Sequence, residues 1–169
     1  MKTKLKTIDK RVKPDQRVIY VADFNVNPPI AEPCPRVDIE LEDLKYLSEQ
    51  GARSVILAHR GRYNDQADLE FLAPYLSLRL GVQVKYFPEN STDAAVVFSE
   101  SLSPGDIALM ANTRIHRGEE ENSAEIARQF ARLGDCAVIG GFGKSHRENA
   151  SNVGILDHLK GYAASSHLL

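Results

Sequence analysis

The chain has 169 residues, a formal net charge of −2 and a pI near 6.2, which excludes a general attraction to nucleic acid or anionic membranes. Its apolar share of 43% is ordinary for a globular protein, and no apolar run approaches the roughly 20 residues that span a bilayer. With no signal-peptide core, and with only Cys34 and Cys136 as cysteines, the sequence predicts a reduced, cytoplasmic protein.

Five apolar, β-rich runs predict the strands of one sheet. They cover Arg17–Val21, Ser54–Ala58, Gln83–Phe87, Asp106–Met110 and Cys136–Ile139. Helical stretches separate consecutive runs, so we expect the strands to be parallel. The sequence therefore predicts a single three-layer α/β/α domain over residues 1–169, with a mainly parallel sheet of about five or six strands.

Helical periodicity and caps predict the helices between these strands. The first three cover about Ile39–Glu49, Leu69–Leu80 and Thr92–Ser101, and glycines follow the first two closely. We expect Asn122 to cap the fourth helix, whose buried stripe is formed by Ile126, Phe130 and Leu133. The tail from Ile155 to Leu169 also carries apolar residues at roughly helical spacing.

Polar loops follow the strands, and the carboxyl ends of parallel strands meet at one edge of a sheet. After the first strand, Asp23 and Asn25 either bond a hydroxylated ligand or cap their own backbone in a turn. After the second strand, we expect His59 and Arg62 to face the ligand while Arg60 points to solvent. A guanidinium group binds phosphate or carboxylate through two parallel hydrogen bonds, although a solvated basic turn is the alternative.

The loops after the fourth and fifth predicted strands are also basic. Arg114 and His116 follow the fourth strand, and we expect the acidic turn of residues 118–121 behind them to be solvated. The loop 140–147 contains three glycines, which permit close backbone approach to a ligand, and it ends in His146 and Arg147. Together the loops predict an anion site for a phosphorylated acid at one edge of the sheet.

Other kinds of site fit these loops less well. Residues 143–145 resemble the end of a P-loop, but Val138 stands where the Walker A spacing requires its first glycine. His59, His116 and His146 each lie close to an arginine, whose charge opposes a dication, so we expect no metal. The basic loops have few aromatics to stack bases, and no G-x-S-x-G elbow supports a Ser–His–Asp triad.

Several motifs resemble the N-terminal domain of the phosphoglycerate kinase family, and they follow that family's order along nearly the whole chain. Residues 22–26 are similar to R-V-D-F-N-V-P, and residues 111–116 match E-N-L-R-F-H. Residues 51–62 resemble G-A-K-x-V-I-L-x-S-H-L-G-R-P with one residue fewer, and residues 141–151 match A-F-G-T-A-H-R-A-H-A-S. The resemblance implies a Rossmann-like domain that binds 3-phosphoglycerate through a basic patch.

The resemblance also implies a set of ligand-binding residues. Asp23 and Asn25 would lie toward the hydroxyl and carboxyl end of the ligand. The groups implied for phosphate and carboxylate are Arg36, His59, Arg62, Arg114 and Arg147. Arg36 stands where the family has the arginine that opens its first long helix. The candidate catalytic residues are His59, His146 and Arg36, and no metal site is implied.

The departures from the family pattern concern kinase chemistry. We expect the nucleotide-binding C-terminal domain to be absent, and the family's catalytic lysine falls in residues 161–168, which contain Ser165 and Ser166 but no lysine. Val21 replaces the family's arginine before V-D-F, and Gly140 replaces its acidic residue before A-F-G. Because phosphoryl transfer needs a positioned Mg-nucleotide, we expect no cofactor, and Mg-ATP only if a partner chain supplies the nucleotide domain.

Three functional hypotheses remain open. In the first, the chain is a repurposed, stand-alone domain that binds 3-phosphoglycerate or a similar phosphorylated carboxylate. In the second, it is the acceptor-binding half of a split kinase that forms an acyl phosphate. The third is a lyase or transferase of specialised metabolism with a histidine as its acid–base group. We favour the first because a half selected for kinase chemistry should keep the lysine and the acidic residue.

Whether the chain is an enzyme is thus open, and autonomous phosphoglycerate kinase activity is not expected. We expect the chain to bind a small phosphorylated acid and to bind neither nucleic acid nor membrane. Apolar tail residues such as Leu156 and Leu159 must either pack on the sheet or bury against a second copy or a separate partner chain.

Overall fold

The computed structural model describes residues 7–9, 11–65, 67–144 and 146–164. Its strands are β1 Arg17–Ala22, β2 Arg53–Ala58, β3 Val84–Phe87, β4 Ile107–Met110, β5 Cys136–Ile139 and β6 Lys160–Ala163. Its helices are α1 Pro35–Asp38, α2 Leu41–Glu49, α3 Leu72–Leu80, α4 Asp93–Ser101, α5 Arg117–Glu120 and α6 Ala124–Ala131. Single 3₁₀ turns lie at Tyr63–Asp65, Thr113–Ile115, Phe142–Lys144 and Gly154–Asp157.

The six strands form one parallel sheet in the order β3-β4-β2-β1-β5-β6. This confirms the predicted fold class and all five predicted strands. The chain moves from β1 through β2 toward the β3 edge, then returns from β4 across the sheet to β5 and β6. The connections that leave the neighbouring strands β1 and β5 therefore run in opposite directions, which makes this pair a topological switch point.

Both faces of the sheet are buried, as the continuous apolar strands require. On one face, Val18 and Tyr20 pack with α1, α2 and α3, whose buried residues include Leu44. On the other face, Ile19 and Val21 pack with α4 and α6. Alternate residues of β1 thus contribute to two separate cores, and the three-layer architecture follows from that alternation.

The helices begin and end near their predicted positions. The first predicted helix corresponds to α2, which begins at Leu41, and the short helix α1, which was not predicted, precedes it with the exposed Ile39 between them. The second predicted helix begins at Leu72, and it ends at Gly81, whose φ of +70° suits a left-handed C-terminal residue. Thr92 caps α4 by accepting a hydrogen bond from the backbone N–H of Ala95 at 3.1 Å.

Two local predictions were wrong. Asn122 does not cap the fourth predicted helix, because it has a φ of +51° and the N-cap position of α6 is Ser123. The tail is not a helix within residues 154–164, since a 3₁₀ turn leads into β6, where Tyr162 is buried beside β5. The predicted continuation over residues 165–169 lies outside the described residues. In the described part of the chain, no helix is long and apolar enough to cross a membrane.

Candidate functional site

The loops that leave the carboxyl ends of the strands bring several predicted site residues to one edge of the sheet. Asp23 follows β1, and both of its carboxylate oxygens accept hydrogen bonds from Nη1 of Arg36, at 3.2 and 3.1 Å. The Nε2 atom of His59, which follows β2, lies 4.0 Å from Oδ1 of Asp23. Sequence positions far apart therefore meet in one cluster.

The Asp23–Arg36 pair combines a buried anion with a partly exposed cation. Asp23 is 8% exposed in its side chain, whereas Arg36 is 52% exposed. The Nε and Nη2 atoms of Arg36 have no hydrogen-bond partner among the described residues. The guanidinium group thus fixes Asp23 and keeps donors that an incoming anion can use.

His59 is neutral at neutral pH. Burial, followed by the positive charges of Lys144, Arg114, Arg147 and Arg36, lowers the pKa of His59 to about 3. The carboxylate of Asp23, although only 4.0 Å away, does not reverse this effect. The Nδ1 atom is buried without a hydrogen-bond partner among the described residues. The pKa of His59 is thus lowered mainly by burial and further by the four neighbouring cations.

Hydrogen bonds to amide side chains fix the loop after β2. The Oδ1 atom of Asn112 accepts the backbone N–H of Arg60 at 3.0 Å, and its Nδ2 atom donates to the carbonyl of Arg60 at 2.8 Å. The Oδ1 atom of Asn25 accepts the N–H of Gly61 at 3.0 Å. Asn25 and Asn112 thus form hydrogen bonds with the loop after β2, and not only with the backbone of their own loops.

The sequence predicted that the side chain of Arg60 points to solvent, and this prediction was wrong, because the side chain contacts other parts of the chain. Its guanidinium carbon lies 5.1 Å from the ring centroid of Phe71. Its nitrogens donate to Oδ1 of Asn27 at 3.2 Å and to the carbonyl of Asp68 at 2.9 Å. Arg60 therefore has a structural role, because it connects three segments around the loop after β2.

Arg62 and Arg147 are exposed at the same edge of the sheet. The backbone N–H of Arg62 donates to Oδ2 of Asp65 at 2.8 Å, and that of Arg147 donates to the carbonyl of Lys144 at 2.9 Å. Neither guanidinium group has an ion pair among the described residues. His146 beside Arg147 is exposed as well. These side chains are available to a ligand.

Arg114 is placed differently from the other predicted arginines. It is 2% exposed, and its Nη1 atom forms an ion pair with Oε1 of Glu120. The other oxygen of Glu120 accepts the N–H of Tyr63 at 3.2 Å. Arg114 thus lies beneath the surface with one acidic partner already in place, and its Nε atom has no hydrogen-bond partner among the described residues.

Of the acidic residues behind Arg114, which were expected to be solvated, Glu120 and Glu121 are exposed but Glu119 is not. Glu119 in α5 is fully buried, and its carboxylate accepts the N–H of Ser151 at 2.9 Å and the Ser151 hydroxyl at 2.5 Å. Glu120 carries the ion pair to Arg114. These contacts connect α5 to the chain after β5, because folding brings partners from residues 114 and 151 to this short helix.

Two buried charged residues of the site were missed by the sequence prediction. Glu40 accepts the backbone N–H groups of Asp23 at 2.9 Å and Gly141 at 3.1 Å, and burial raises its pKa to about 7. Lys144 is 2% exposed, and its Nζ atom has no hydrogen-bond partner among the described residues. Burial lowers the pKa of Lys144, whereas Glu119, Glu40 and Asp23 oppose that effect.

The glycines of the loop after β5 were the one available signal for this buried cluster. A Cβ atom at Gly140 would clash with the carboxylate of Glu40, and one at Gly143 would clash with that of Asp23. Gly141 has a φ of +63° and lies against the backbone of Asp23. The glycines therefore permit close approach to the protein's own carboxylates, where the sequence predicted close approach to a ligand.

His116 lies outside this cluster of contacts. Its Nε2 atom is 2.7 Å from Oδ1 of Asn90 and 3.1 Å from Oγ of Ser91, and its ring packs edge-on against Phe130 at 5.8 Å. Burial lowers its pKa. These contacts give His116 a structural role. Within the described residues, no group of three or more His, Cys, Asp and Glu side chains is arranged to hold a metal.

Comparison with known proteins gives a consistent result. The family profile described as "Phosphoglycerate kinase" matches residues 8–166. The phosphoglycerate kinases of Staphylococcus epidermidis and Staphylococcus haemolyticus are each 36% identical to this chain over 156 residues. These alignments cover 85% of this chain and 39% of each relative, so the chain spans about two fifths of the length of the curated relatives it matches.

Two solved structures share the fold. The structure of phosphoglycerate kinase from Coxiella burnetii has a TM-score of 0.82 at 25% identity, and the match covers 98% of this chain and 43% of that one. The phosphoglycerate kinase from Pyrococcus horikoshii has a TM-score of 0.84 at 23% identity, over 94% of this chain and 42% of that one. The second similarity is one of fold alone.

Proposed function

Since this chain belongs to the phosphoglycerate kinase family, we propose that its carboxyl-edge site binds 3-phosphoglycerate or a similar phosphorylated carboxylate. One observation carries this function. Arg36, Arg62 and Arg147 present guanidinium groups at the carboxyl ends of β1, β2 and β5, around the buried Asp23 and His59. Three arginines on separate segments of the chain, one in α1 and two in loops, suit a ligand with anionic groups at both ends.

The buried groups support anion binding in a different way. Lys144 and Arg114 place positive charge beneath the surface, where it is screened less than exposed charge. The carboxylate of Asp23 is held by Arg36 and can accept a hydrogen bond from a hydroxyl group of the ligand. The unpartnered Nδ1 atom of His59 adds a further polar group to the same cluster.

We further propose that these 169 residues alone do not transfer phosphate from ATP, and that they have no resident cofactor or metal. The motif that resembles a P-loop lacks its first glycine, and the chain covers 39% of its curated relatives. A split kinase would use the same acceptor site and would need Mg-ATP bound by a second chain. Formation of ADP that depends on 3-phosphoglycerate, by purified protein free of host kinase, would contradict this part.

The histidines give less support to a lyase or transferase. A pKa of about 3 makes His59 a weak base near neutral pH, so it is a poor proton acceptor there.

We also propose a cytoplasmic location and a partner, either a second copy or a separate chain, that binds at the C-terminal tail. Leu156 of that tail is 42% exposed, whereas Leu159 and Tyr162 pack onto the sheet, and Leu168 and Leu169 lie outside the described residues.

The test is a calorimetric titration of the chain with three compounds at fixed, low ionic strength. We expect saturable binding of 3-phosphoglycerate, and binding at least about tenfold weaker for glycerate, which lacks the phosphate, and for inorganic phosphate, which lacks the carboxylate. Equal affinity for phosphate and 3-phosphoglycerate would show a simple phosphate site. No binding of any of the three would contradict the proposed function.

A further inference from the structure

Glu40 joins two loops that leave neighbouring strands. Its Oε1 atom accepts the N–H of Asp23, directly after β1, and its Oε2 atom accepts the N–H of Gly141, directly after β5. The residue itself lies between α1 and α2 and is 2% exposed. One carboxylate thus connects the two strand ends at the topological switch point, between the loop of Asp23 and the loop of Arg147.

The carboxylate of Glu40 fills the space that a side chain at position 140 would need. A Cβ atom at Gly140 would clash with Oε2 of Glu40 and with the hydroxyl of Tyr20. The backbone at Gly140 does not have a positive φ, so only this space prevents a larger residue there. The carboxylate in this space therefore comes from residue 40, between α1 and α2, and not from the loop after β5.

Charged and titratable groups from three parts of the chain face Glu40. Asp23 lies on the loop after β1, Lys144 on the loop after β5 and Tyr20 on β1, where the Tyr20 hydroxyl also donates to Oδ2 of Asp43 in α2 at 3.3 Å. Lys144 is the cation of this group, and its buried Nζ atom has no hydrogen-bond partner among the described residues. Burial raises the pKa of Glu40 to about 7, and the hydrogen bonds from Asp23 and Tyr20 and the charge of Lys144 oppose this rise. In its ionised form the carboxylate accepts both N–H groups.

On the basis of the function proposed above, we propose that Glu40 is a positioning residue of the ligand site. Its carboxylate holds the loops after β1 and β5 at the spacing that lets the Asp23–Arg36 pair and Arg147 bind one ligand. A carboxylate at position 140 cannot replace it, because a Cβ atom there would clash with Tyr20 as well as with Glu40. The role depends on the two oxygens of the Glu40 side chain, each of which accepts one N–H group.

The test compares Glu40→Ala with Glu40→Gln, which keeps one acceptor oxygen and places an amide nitrogen where the other oxygen was. Glu42→Ala, an exposed glutamate in α2, is the matched control. The first measurement is amide hydrogen exchange by NMR at Asp23 and Gly141 in the free protein, which needs no ligand. The second is the affinity for 3-phosphoglycerate by calorimetry. Should the alanine variant fail to fold, the comparison of Glu40→Gln with the wild type and with Glu42→Ala is the test.

We expect Glu40→Ala to raise the exchange rates of both amides about tenfold or more and to weaken binding about tenfold. Glu40→Gln should raise the exchange rate at one of the two amides and leave the other slow, because only one acceptor oxygen remains, and Glu42→Ala should change neither amide. Unchanged exchange at both amides in Glu40→Ala, or in Glu40→Gln where the alanine variant does not fold, would overturn the positioning role. If exchange responds as expected while wild-type protein binds no 3-phosphoglycerate, the loop-positioning role stands and the proposed ligand is wrong.

Discussion

At the amino edge of the sheet, arginines are surrounded by acceptors. Arg17 pairs with Asp135 at 3.2 Å and donates to the carbonyl of Arg132 at 3.3 Å. Arg53 pairs with Asp15 at 2.9 Å and donates to the carbonyl of Glu100 at 3.0 Å. Their side chains are 18% and 19% exposed.

At the carboxyl edge, Arg62 and Arg147 are exposed and have no acidic partner within the described residues. Beneath them, His59 and Lys144 are buried with nitrogens that lack hydrogen-bond partners in the same part of the chain. Buried polar groups are normally hydrogen-bonded, and these two exceptions lie where we propose the ligand site. Two arginines of this edge, Arg36 and Arg114, have acidic partners, but Arg62 and Arg147 have none, and this difference from the amino edge is the basis of the proposal.

The largest expected effect concerns Glu40 at the carboxyl edge. Its folded-state pKa is about 7, above the ordinary value of 4.5, so the folded protein binds more protons between these values. Its stabilising contribution is full below about pH 4.5 and is lost as the pH rises through about 7. Between about pH 5 and pH 8, the wild type should lose about 2–3 kcal/mol relative to Glu40→Gln.

Urea unfolding of both proteins at each pH measures this difference, and Asp135→Asn at the amino edge is the control for loss of a carboxylate. A difference between wild type and Glu40→Gln that does not change with pH would show that burial of Glu40 has no energetic consequence.

The next effect separates the two edges by ligand affinity. Arg62→Ala and Arg147→Ala should each weaken binding of 3-phosphoglycerate by on the order of 1.5–3 kcal/mol, about tenfold or more, because each removes a charge-assisted contact. Arg128→Ala, an exposed arginine of α6, should have little effect in the same calorimetric titration. Equal losses in all three variants would indicate a diffuse basic surface.

The pH dependence of stability that His59 contributes has the opposite sign to that of Glu40. Its folded-state pKa is about 3, below the ordinary 6.5, so its stabilising contribution is full above about pH 6.5 and is lost as the pH falls toward about 3. From about pH 7.5 to pH 5, the wild type should lose about 2 kcal/mol relative to His59→Asn. Urea unfolding would contradict this if the two proteins lost stability in parallel.

The smallest effect belongs to the amino edge. Arg17→Ala should lower the free energy of unfolding by about 1 kcal/mol, because its acidic partners Asp135 and Glu100 are exposed to solvent, which weakens the ion pairs, and should change ligand affinity less than about twofold. Arg62→Ala should show the reverse pattern, with an unfolding free energy within about 0.5 kcal/mol of wild type. A tenfold loss of affinity in Arg17→Ala would break the contrast between the edges.

The strands and their direction were predictable because apolar runs separated by helices allow few arrangements. The sixth strand was missed, since Lys160–Ala163 is short, contains a glycine and follows apolar residues that also fit helical spacing. Such a strand is stabilised by its position beside β5 rather than by its own composition.

The loops that carry the candidate site were predictable, but its buried charges were not. Glu40, Glu119 and Lys144 have the composition of surface residues, and only their tertiary neighbours explain their burial. The ion pair between Arg114 and Glu120 likewise depends on α5, which folds back over the loop after β4. Charge pairing between distant segments leaves little trace in a single sequence.

The most direct test of the carboxyl-edge site is a ¹⁵N NMR titration of the chain with 3-phosphoglycerate. We predict that amide shifts concentrate in residues 23–25, 59–62 and 140–147, and that residues 15–17, 51–53 and 134–135 at the amino edge stay unchanged. Shifts centred on the amino edge, or spread evenly over both edges, would contradict a ligand site built from unpaired carboxyl-edge arginines.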